Sequence, residues 1–239
     1  CNSLDCLFFL RKIRNMRSGL TPVIKSDMLS VYNRVNMSQS GKSNRVRIIG
    51  GNWRGRRLPV ADVPGLRPTG DRCRETLFNW LQPWIDGADC ADLFAGTGAL
   101  GFEAASRGAA TIMMIEKHPQ ALVVLRQSIE QLQAEQVNLH AGGAMTLIET
   151  IEPDSFDIVF VDPPFDSNLG GRVLERLDKV ACVRRGGFIY VESPASKMIP
   201  PPEGWSVWRD QKLGEVRMQL FRRQRQDIER NLPDDGSAE

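Results

Sequence analysis

Histidine is almost missing from this chain. His118 and His140 are the only two among 239 residues. Neither has a nucleophile or a metal-ligand partner nearby in sequence, so nothing suggests a hydrolytic triad or a histidine-built metal centre. Cysteine is sparse and unpaired as well. Cys1, Cys6, Cys73, Cys90 and Cys182 form no CxxC pair, their number is odd, and Cys90 and Cys182 sit in or beside apolar runs. That pattern excludes a zinc knuckle and points to a reduced, intracellular protein, cytoplasmic by expectation. Long hydrophobic runs are absent too. A bilayer span needs about 20 apolar residues, and Cys6-Leu7-Phe8-Phe9-Leu10 is far too short. Basic residues follow that run instead of preceding it, so it also makes a poor signal peptide. No internal repeat is present.

The net charge is only +2, but it is unevenly distributed. Lys42, Arg45, Arg47, Arg54, Arg56, Arg57, Arg67, Arg72 and Arg74 crowd one stretch, opposed there by Asp62 and Asp71 alone. Such a block suits a polyanionic partner, the alternative being a solvated basic face.

With 41% hydrophobic and 25% charged residues, the chain suits one large domain with appendages. Residues 1–44 lack periodicity and read as a disordered lead-in. Met37, followed by a small, polar stretch, is a candidate start, which would make residues 1–36 upstream sequence. Residues 45–66 read as a basic β-hairpin: Arg45 to Ile49 and Arg56 to Val60 alternate, and Gly50 to Gly55 form the turn with Trp53 at its tip. A helix over Arg72 to Gln82 follows, capped by Thr69 or Asp71. From Ala88 strands and helices alternate, implying a parallel sheet covered on both faces. The last two strands, Trp205 to Arg209 and Glu215 to Phe221, leave no room for a crossover, so one of them must run antiparallel. Residues 225–239 read as a disordered tail.

Two loops carry the chemistry. The first, Asp92-Leu93-Phe94-Ala95-Gly96-Thr97-Gly98-Ala99-Leu100-Gly101, holds G-x-G-x-x-G between a strand and a helix. Its glycines permit a tight turn and close approach by a ligand. Glu116 ends the next strand, placed to accept ribose hydroxyls. An adenosine-containing cofactor follows. Pyrophosphate of a nicotinamide dinucleotide would be repelled by Asp92, whereas the methionine ammonium of S-adenosylmethionine would be attracted. The structural alternative is a tight strand–helix turn with no ligand.

The second loop is Asp162-Pro163-Pro164-Phe165, at the end of an apolar strand, Phe156 to Val161. An exocyclic base amine is a poor nucleophile because its lone pair is delocalised into the ring. Acceptors on both N–H bonds can redirect that lone pair. Asp162 supplies one and the Pro163 carbonyl the other, held by the restricted backbone of Pro163 and Pro164. Phe165 can stack on the base, a contact worth about 1–3 kcal/mol. The bland reading is a rigid turn. No metal is required.

Together DLFAGTGALGFEA (92–104), Ile115-Glu116-Lys117 and Val161 to Phe165 resemble class I methyltransferases acting on exocyclic amines. Arg67-Pro68-Thr69, Asp71 to Glu75, Leu77-Phe78-Asn79, Arg47 to Gly51 and Arg54-Gly55 narrow the resemblance to the bacterial RsmD-type guanine-N2 methyltransferases of small-subunit ribosomal RNA. It covers about 45–223. It implies a seven-stranded, mostly parallel, doubly wound α/β sheet of Rossmann-like class, with the small hairpin in front and the methyltransferase domain over 67–224. It implies S-adenosylmethionine held by Asp92, Phe94, Ala95, Gly96, Thr97, Gly98, Glu116 and Lys117. Gly142 to Met145 lacks the acid often found there for the adenine amine, so Ala144 and Met145 are expected to take that place. Cys73 stands where the family has an aliphatic residue. Asp162, Pro163, Pro164 and Phe165 would hold the guanine. Arg45, Arg47, Trp53, Arg54, Arg56, Arg57, Arg67, Thr69 and Arg72 would contact the RNA. The expected partner is a partly assembled 30S particle, and the expected protein state is a monomer. Adenine-N6 methylation, RNA-binding assembly with a vestigial pocket, and nicotinamide oxidoreduction are the other readings.

Overall fold

The computed structural model describes residues 45–63, 70–164 and 169–224. The lead-in, the tail, the loop with Arg67 and Thr69, and Phe165 lie outside the described residues.

A two-stranded antiparallel ribbon comes first: β1 (Arg45–Arg47) and β2 (Arg57–Pro59), with Val46 opposite Leu58. The helix α1 (Asp71–Leu81) follows. Next come β3 (Asp89–Asp92), α2 (Ala99–Ser106), β4 (Thr111–Glu116), α3 (Pro119–Leu132) and β5 (Val137–Ala141). The chain continues through the short α4 (Ala144–Leu147), β6 (Phe156–Val161), α5 (Leu169–Val180), β7 (Val183–Pro194), β8 (Trp205–Leu213) and β9 (Val216–Arg223). The large sheet has seven strands in the order β5-β4-β3-β6-β7-β9-β8. β9 runs antiparallel to both neighbours, and the remaining pairs are parallel. The doubly wound sheet and the antiparallel final hairpin are as the sequence predicts.

Strand alternation sends side chains to two cores. Ile158, Phe160 and Tyr190 join Leu77, Phe78, Phe102 and Leu125 on one face. Val159, Val161 and Val191 join Val173, Leu174 and Leu177 on the other. The chain runs outward from β3 through β4 to β5, then crosses back to β6 on the other side of β3. This reversal opens a crevice at the carboxyl ends of β3 and β6.

The cap of α1 differs from the sequence reading, and β7 is longer than its apolar run. β7 starts before the apolar run Gly187 to Val191, because Arg184 is anchored: it pairs with Asp157 at 2.7 Å and Asp89 at 2.9 Å. These contacts tie the amino edges of β3, β6 and β7 together. The cap of α1 is Gly70, without a side-chain hydrogen bond. Asp71 is instead the first helical residue, where its carboxylate accepts from Arg74 (2.6 Å) and Arg47 (3.3 Å). A carboxylate also suits the positive end of a helix.

The hairpin is anchored to the main core. Val46, Ile48 and Leu58 are buried in the same cluster as Leu77 and Phe102. Its connecting residues, 48–56, dock on the end of α2. Ile49 and Gly50 N–H groups each donate to the Glu103 carboxylate at 2.8 Å, and Asn52 N–H donates to the Ser106 carbonyl at 2.7 Å. Gly51 sits at φ +74°, where a Cβ would lie 1.8 Å from that carbonyl oxygen, so only glycine fits. Trp53 is not a free tip. It is half-buried against the core, and its N–H donates to Ser106 Oγ at 2.9 Å. Arg74 is not a surface cation either. It is buried and faces Glu103 at 3.5 Å, while Arg107 binds Glu103 at 2.7 Å and lies over the Phe78 ring.

Removing a partner from a buried ion pair leaves an uncompensated charge, a loss of about 3–5 kcal/mol. Glu103→Ala is therefore expected to lower unfolding free energy by about that amount, measured by urea titration. A change below about 1 kcal/mol would show that Glu103 does not hold the hairpin.

Candidate active site

The first wall of the crevice is the glycine loop. Asp92 ends β3 and is buried, 2% exposed. Its Oδ2 accepts the Gly101 N–H at 3.0 Å, while Oδ1 is buried without a hydrogen-bond partner. Burial pushes the Asp92 carboxyl up to about 7. The charges of Asp162 and Glu116 add to the shift, and the N–H groups of Gly101 and Phe94 oppose it. A buried carboxylate oxygen with nothing donating to it favours a cationic or N–H-bearing ligand.

Gly98 caps α2 at φ +76°, and a Cβ there would lie 2.4 Å from the Phe102 ring. The loop thus passes tightly over the helix start with its backbone open to a ligand. Ala95 and Thr97 are buried, and Phe94 packs against the second core cluster. Glu116 ends β4. Its Oε2 accepts from Gly96 N–H at 2.8 Å, and Oε1 accepts from Lys117 (2.9 Å) and His118 (2.7 Å) N–H groups. The sequence suggests a ribose acceptor; the structure also makes Glu116 the brace of the glycine loop. A carboxylate has about four lone-pair sites, so ribose hydroxyls can still be accepted beside these three N–H groups. Lys117 is exposed, and His118 caps α3 through Nδ1, which accepts from Gln120 N–H.

Ala144 is buried at the start of α4. Met145 lines a shallow groove with Arg172, Arg176 and Lys179 of α5.

The second wall is the loop after β6. Asp92 pairs with Phe160 across β3 and β6, which places Asp162 two residues further along the neighbouring strand end. Asp162 is half-buried, Pro163 buried and Pro164 exposed. The structure thus brings Asp92, Gly96 to Gly98, Glu116, Asp162 and Pro163 to one edge. Arg45, Arg47, Arg54, Arg56, Arg57 and Arg72 are all exposed on the preceding segments. Arg47 is engaged with Asp71.

Sequence reasoning missed Glu192. Val161 pairs with Val191, so Asp162 and Glu192 are the next residues on adjacent strands. Glu192 is 4% exposed and its Oε1 accepts the Tyr190 hydroxyl at 2.6 Å. It lines a small cavity with Pro163, Pro164, Gly170 and Ser193. Burial, followed by the charge of Asp162, pushes the Glu192 carboxyl well above the usual range, against the Tyr190 hydrogen bond. Cys73 of α1 adjoins the pair, and burial with the charges of Glu192 and Asp162 pushes its thiol up to about 11. The available signal was a lone acid in an apolar strand, two residues after a tyrosine and therefore on the same face.

Asp92 also predicts a pH response of stability. Its folded value, about 7, exceeds the unfolded value of 3.8. The native state therefore retains a proton that the unfolded chain has released, and stability falls as pH rises from about 4 to about 7. Asp92→Asn is expected to flatten that slope, measured by urea unfolding across this range. An unaltered slope would show that Asp92 is ionised throughout.

A family model described as "Conserved hypothetical protein 95" matches residues 46–222. The chain is 43% identical over 185 residues to ribosomal RNA small subunit methyltransferase D of Escherichia coli strain K12, covering 77% of this chain and 93% of that protein. The protein of the same name from Haemophilus influenzae is 39% identical over 179 residues, covering 74% and 93%. Among solved structures, yhhF from Escherichia coli superposes with a TM-score of 0.69 at 42% identity, over 77% of this chain and all 100% of that one. HI0767 from Haemophilus influenzae gives 0.66 at 35% identity, over 76% and 100%. The chain belongs to the ribosomal RNA small subunit methyltransferase D family.

Proposed function

We propose that the protein methylates the exocyclic N2 amine of a guanine in small-subunit ribosomal RNA, with S-adenosylmethionine as donor. The observation that carries this reading is the juxtaposition, across the β3–β6 crevice, of a buried unpaired Asp92 oxygen with the Asp162-Pro163-Pro164 turn. The relatives' name, ribosomal RNA small subunit methyltransferase, supplies the substrate class. The guanine-N2 assignment rests on the resemblance at 67–79.

The residues fit the cofactor. Asp92 Oδ1 suits the methionine ammonium, and Glu116 keeps acceptor capacity for ribose hydroxyls. The backbone of Gly96 to Gly98, with Phe94, Ala95 and Thr97, lines the approach, while Ala144, Met145 and Lys117 flank the adenine side. Pyrophosphate of a dinucleotide would meet the carboxylates of Asp92 and Glu116 instead. When bound, S-adenosylmethionine supplies a methyl group on a sulfonium.

The chain's own task is to present the amine. Asp162 accepts one amine N–H and the Pro163 carbonyl the other, which turns the lone pair out of conjugation and towards the donor. Pro164 removes a competing N–H, and Phe165 stacks on the base. Positioning of this kind supplies most of the acceleration. The methylated amine is acidic, so its proton leaves without a dedicated base, and no metal is involved. Residues 45–66 act as the RNA-binding hairpin and 67–224 as the methyl-transfer domain. Arg45, Arg47, Arg54, Arg56, Arg57, Arg67 and Arg72, with Thr69 and Trp53, contact the RNA of a partly assembled 30S particle. Trp53 does so from its half-buried position, as a lateral contact. The protein acts as a cytoplasmic monomer.

Tritiated methyl transfer onto naked RNA, 30S-like particles and intact ribosomes, followed by digestion to nucleosides, tests this directly. N2-methylguanosine is expected; N6-methyladenosine, or no transfer to any of the three, would overturn it. Asp162→Ala is expected to slow transfer by at least about 100-fold while leaving cofactor affinity unchanged by calorimetry. Replacing Arg54, Arg56 and Arg57 with glutamine should flatten the dependence of RNA affinity on salt, by about 0.7–0.9 in the log–log slope for each phosphate no longer neutralised.

A further inference from the structure

Glu192 has no part in the mechanism above, yet it is one of few buried acids among the described residues. It stands at the next register position beside Asp162, at the carboxyl edge of the sheet. The Tyr190 hydroxyl fixes its Oε1 from the same face of β7, and Glu192 lines a small cavity with Pro163 and Pro164. An ionised carboxylate at 4% exposure is costly unless donors reach it. Burial, followed by the charge of Asp162, pushes its carboxyl well above the usual range, and the Tyr190 hydroxyl offsets only part of that. Packing alone does not account for the choice of residue, since an apolar side chain would fill the same position without desolvating a carboxyl.

The two acids together match one particular ring edge. Guanine carries two kinds of donor side by side, the N2 amine and the N1–H. Adenine has no hydrogen at N1, which is an acceptor there. If Asp162 takes the amine, an acceptor on the adjacent strand end is placed for the neighbouring ring position. We propose that Glu192 is a base-recognition residue: its carboxyl, fixed by Tyr190 beside Asp162, accepts the N1–H of the guanine whose N2 amine Asp162 holds. This rests on the function proposed above and names the group that reads the base. A donated N1–H would also offset the desolvation of the Glu192 carboxyl, and electron density drawn towards N1 would favour attack by the N2 lone pair. Discrimination by one well-placed base contact is worth about 1–3 kcal/mol, or about 5- to 150-fold.

2,6-Diaminopurine keeps the 2-amino group, has no hydrogen at N1 and carries an amine in place of the 6-oxo group, so the Glu192 variants are what assign a preference to the N1 contact. RNA is ligated to carry guanosine or 2,6-diaminopurine riboside at the mapped acceptor position, and is reconstituted into the particle where the particle is the substrate. kcat/KM is compared for wild type, Glu192→Gln, Glu192→Ala and Tyr190→Phe. Binding of S-adenosylmethionine by calorimetry reports whether each variant is folded. Wild type is expected to prefer guanosine by about 10- to 100-fold. Glu192→Gln, which keeps a carbonyl acceptor, should retain most of that preference. Glu192→Ala should narrow it at least about 10-fold while cofactor affinity holds, and Tyr190→Phe should narrow it in part. Equal use of the two bases by wild type, or an unchanged preference in Glu192→Ala, would overturn the inference while leaving the methylation reading intact. If Glu192→Ala does not fold, loss of preference in Glu192→Gln to the same extent as in Tyr190→Phe overturns it instead. Absence of guanine methylation by wild type overturns the underlying function, and the inference with it.

Discussion

Four adjacent strands each deliver one acid to the same edge of the sheet. Glu116 closes β4, Asp92 closes β3, Asp162 follows β6, and Glu192 lies near the end of β7, in the spatial order β4-β3-β6-β7. Burial is the main cause of the upward shifts at Asp92 and Glu192, and the like charge of Asp162 adds to both. Each acid is stabilised differently. Glu116 has three backbone N–H donors, Asp92 has Gly101 and one bare oxygen, Asp162 is half in solvent, and Glu192 has the Tyr190 hydroxyl. The edge is thus a row of acceptors seeking donors. Ligands that bring ammonium, hydroxyl or amine hydrogens relieve it, and ligands that bring phosphate aggravate it.

Another buried acid has the opposite role. Glu103 of α2 receives Ile49 and Gly50 N–H groups and two arginines, Arg74 and Arg107. It therefore couples the hairpin, α1 and α2 through one carboxylate. Because α2 begins at the glycine loop, the hairpin's position is referred to the same helix whose start forms the pocket wall. A positively charged element held in this way keeps a fixed bearing relative to the crevice instead of swinging on a linker.

The parts legible in the sequence were those with local signatures. The run Phe156 to Val161 into Asp-Pro-Pro marked β6 and its end, and the interval from the glycines to Glu116 marked β3, α2 and β4. The parts that were not legible depend on contacts between distant residues. Arg74 reads as one more cation in a basic block until Glu103, 29 positions away, is folded against it. Trp53 reads as a hairpin tip because nothing local announces that Ser106 will hold its backbone. Glu192 hides in a strand because its neighbours there are apolar, and only the register with Val161 puts it beside Asp162. The side chain of Phe165, which the sequence singles out, lies outside the described residues, so its stacking role rests on the motif alone.

The charge layout also bears on how an RNA substrate must enter. Exposed arginines at 45, 47, 54, 56, 57 and 72 attract phosphates on the outside. The acid row inside repels them. A polyanion meeting these two surfaces can lower its energy only by leaving its backbone on the first and sending in a group without phosphate. A purine base rotated out of its stack is such a group: neutral, flat and edged with N–H donors. On the proposed function, electrostatics therefore selects the extruded geometry before any specific contact forms. The carboxyls of Asp162 and Glu192 then have only to distinguish one base edge from another.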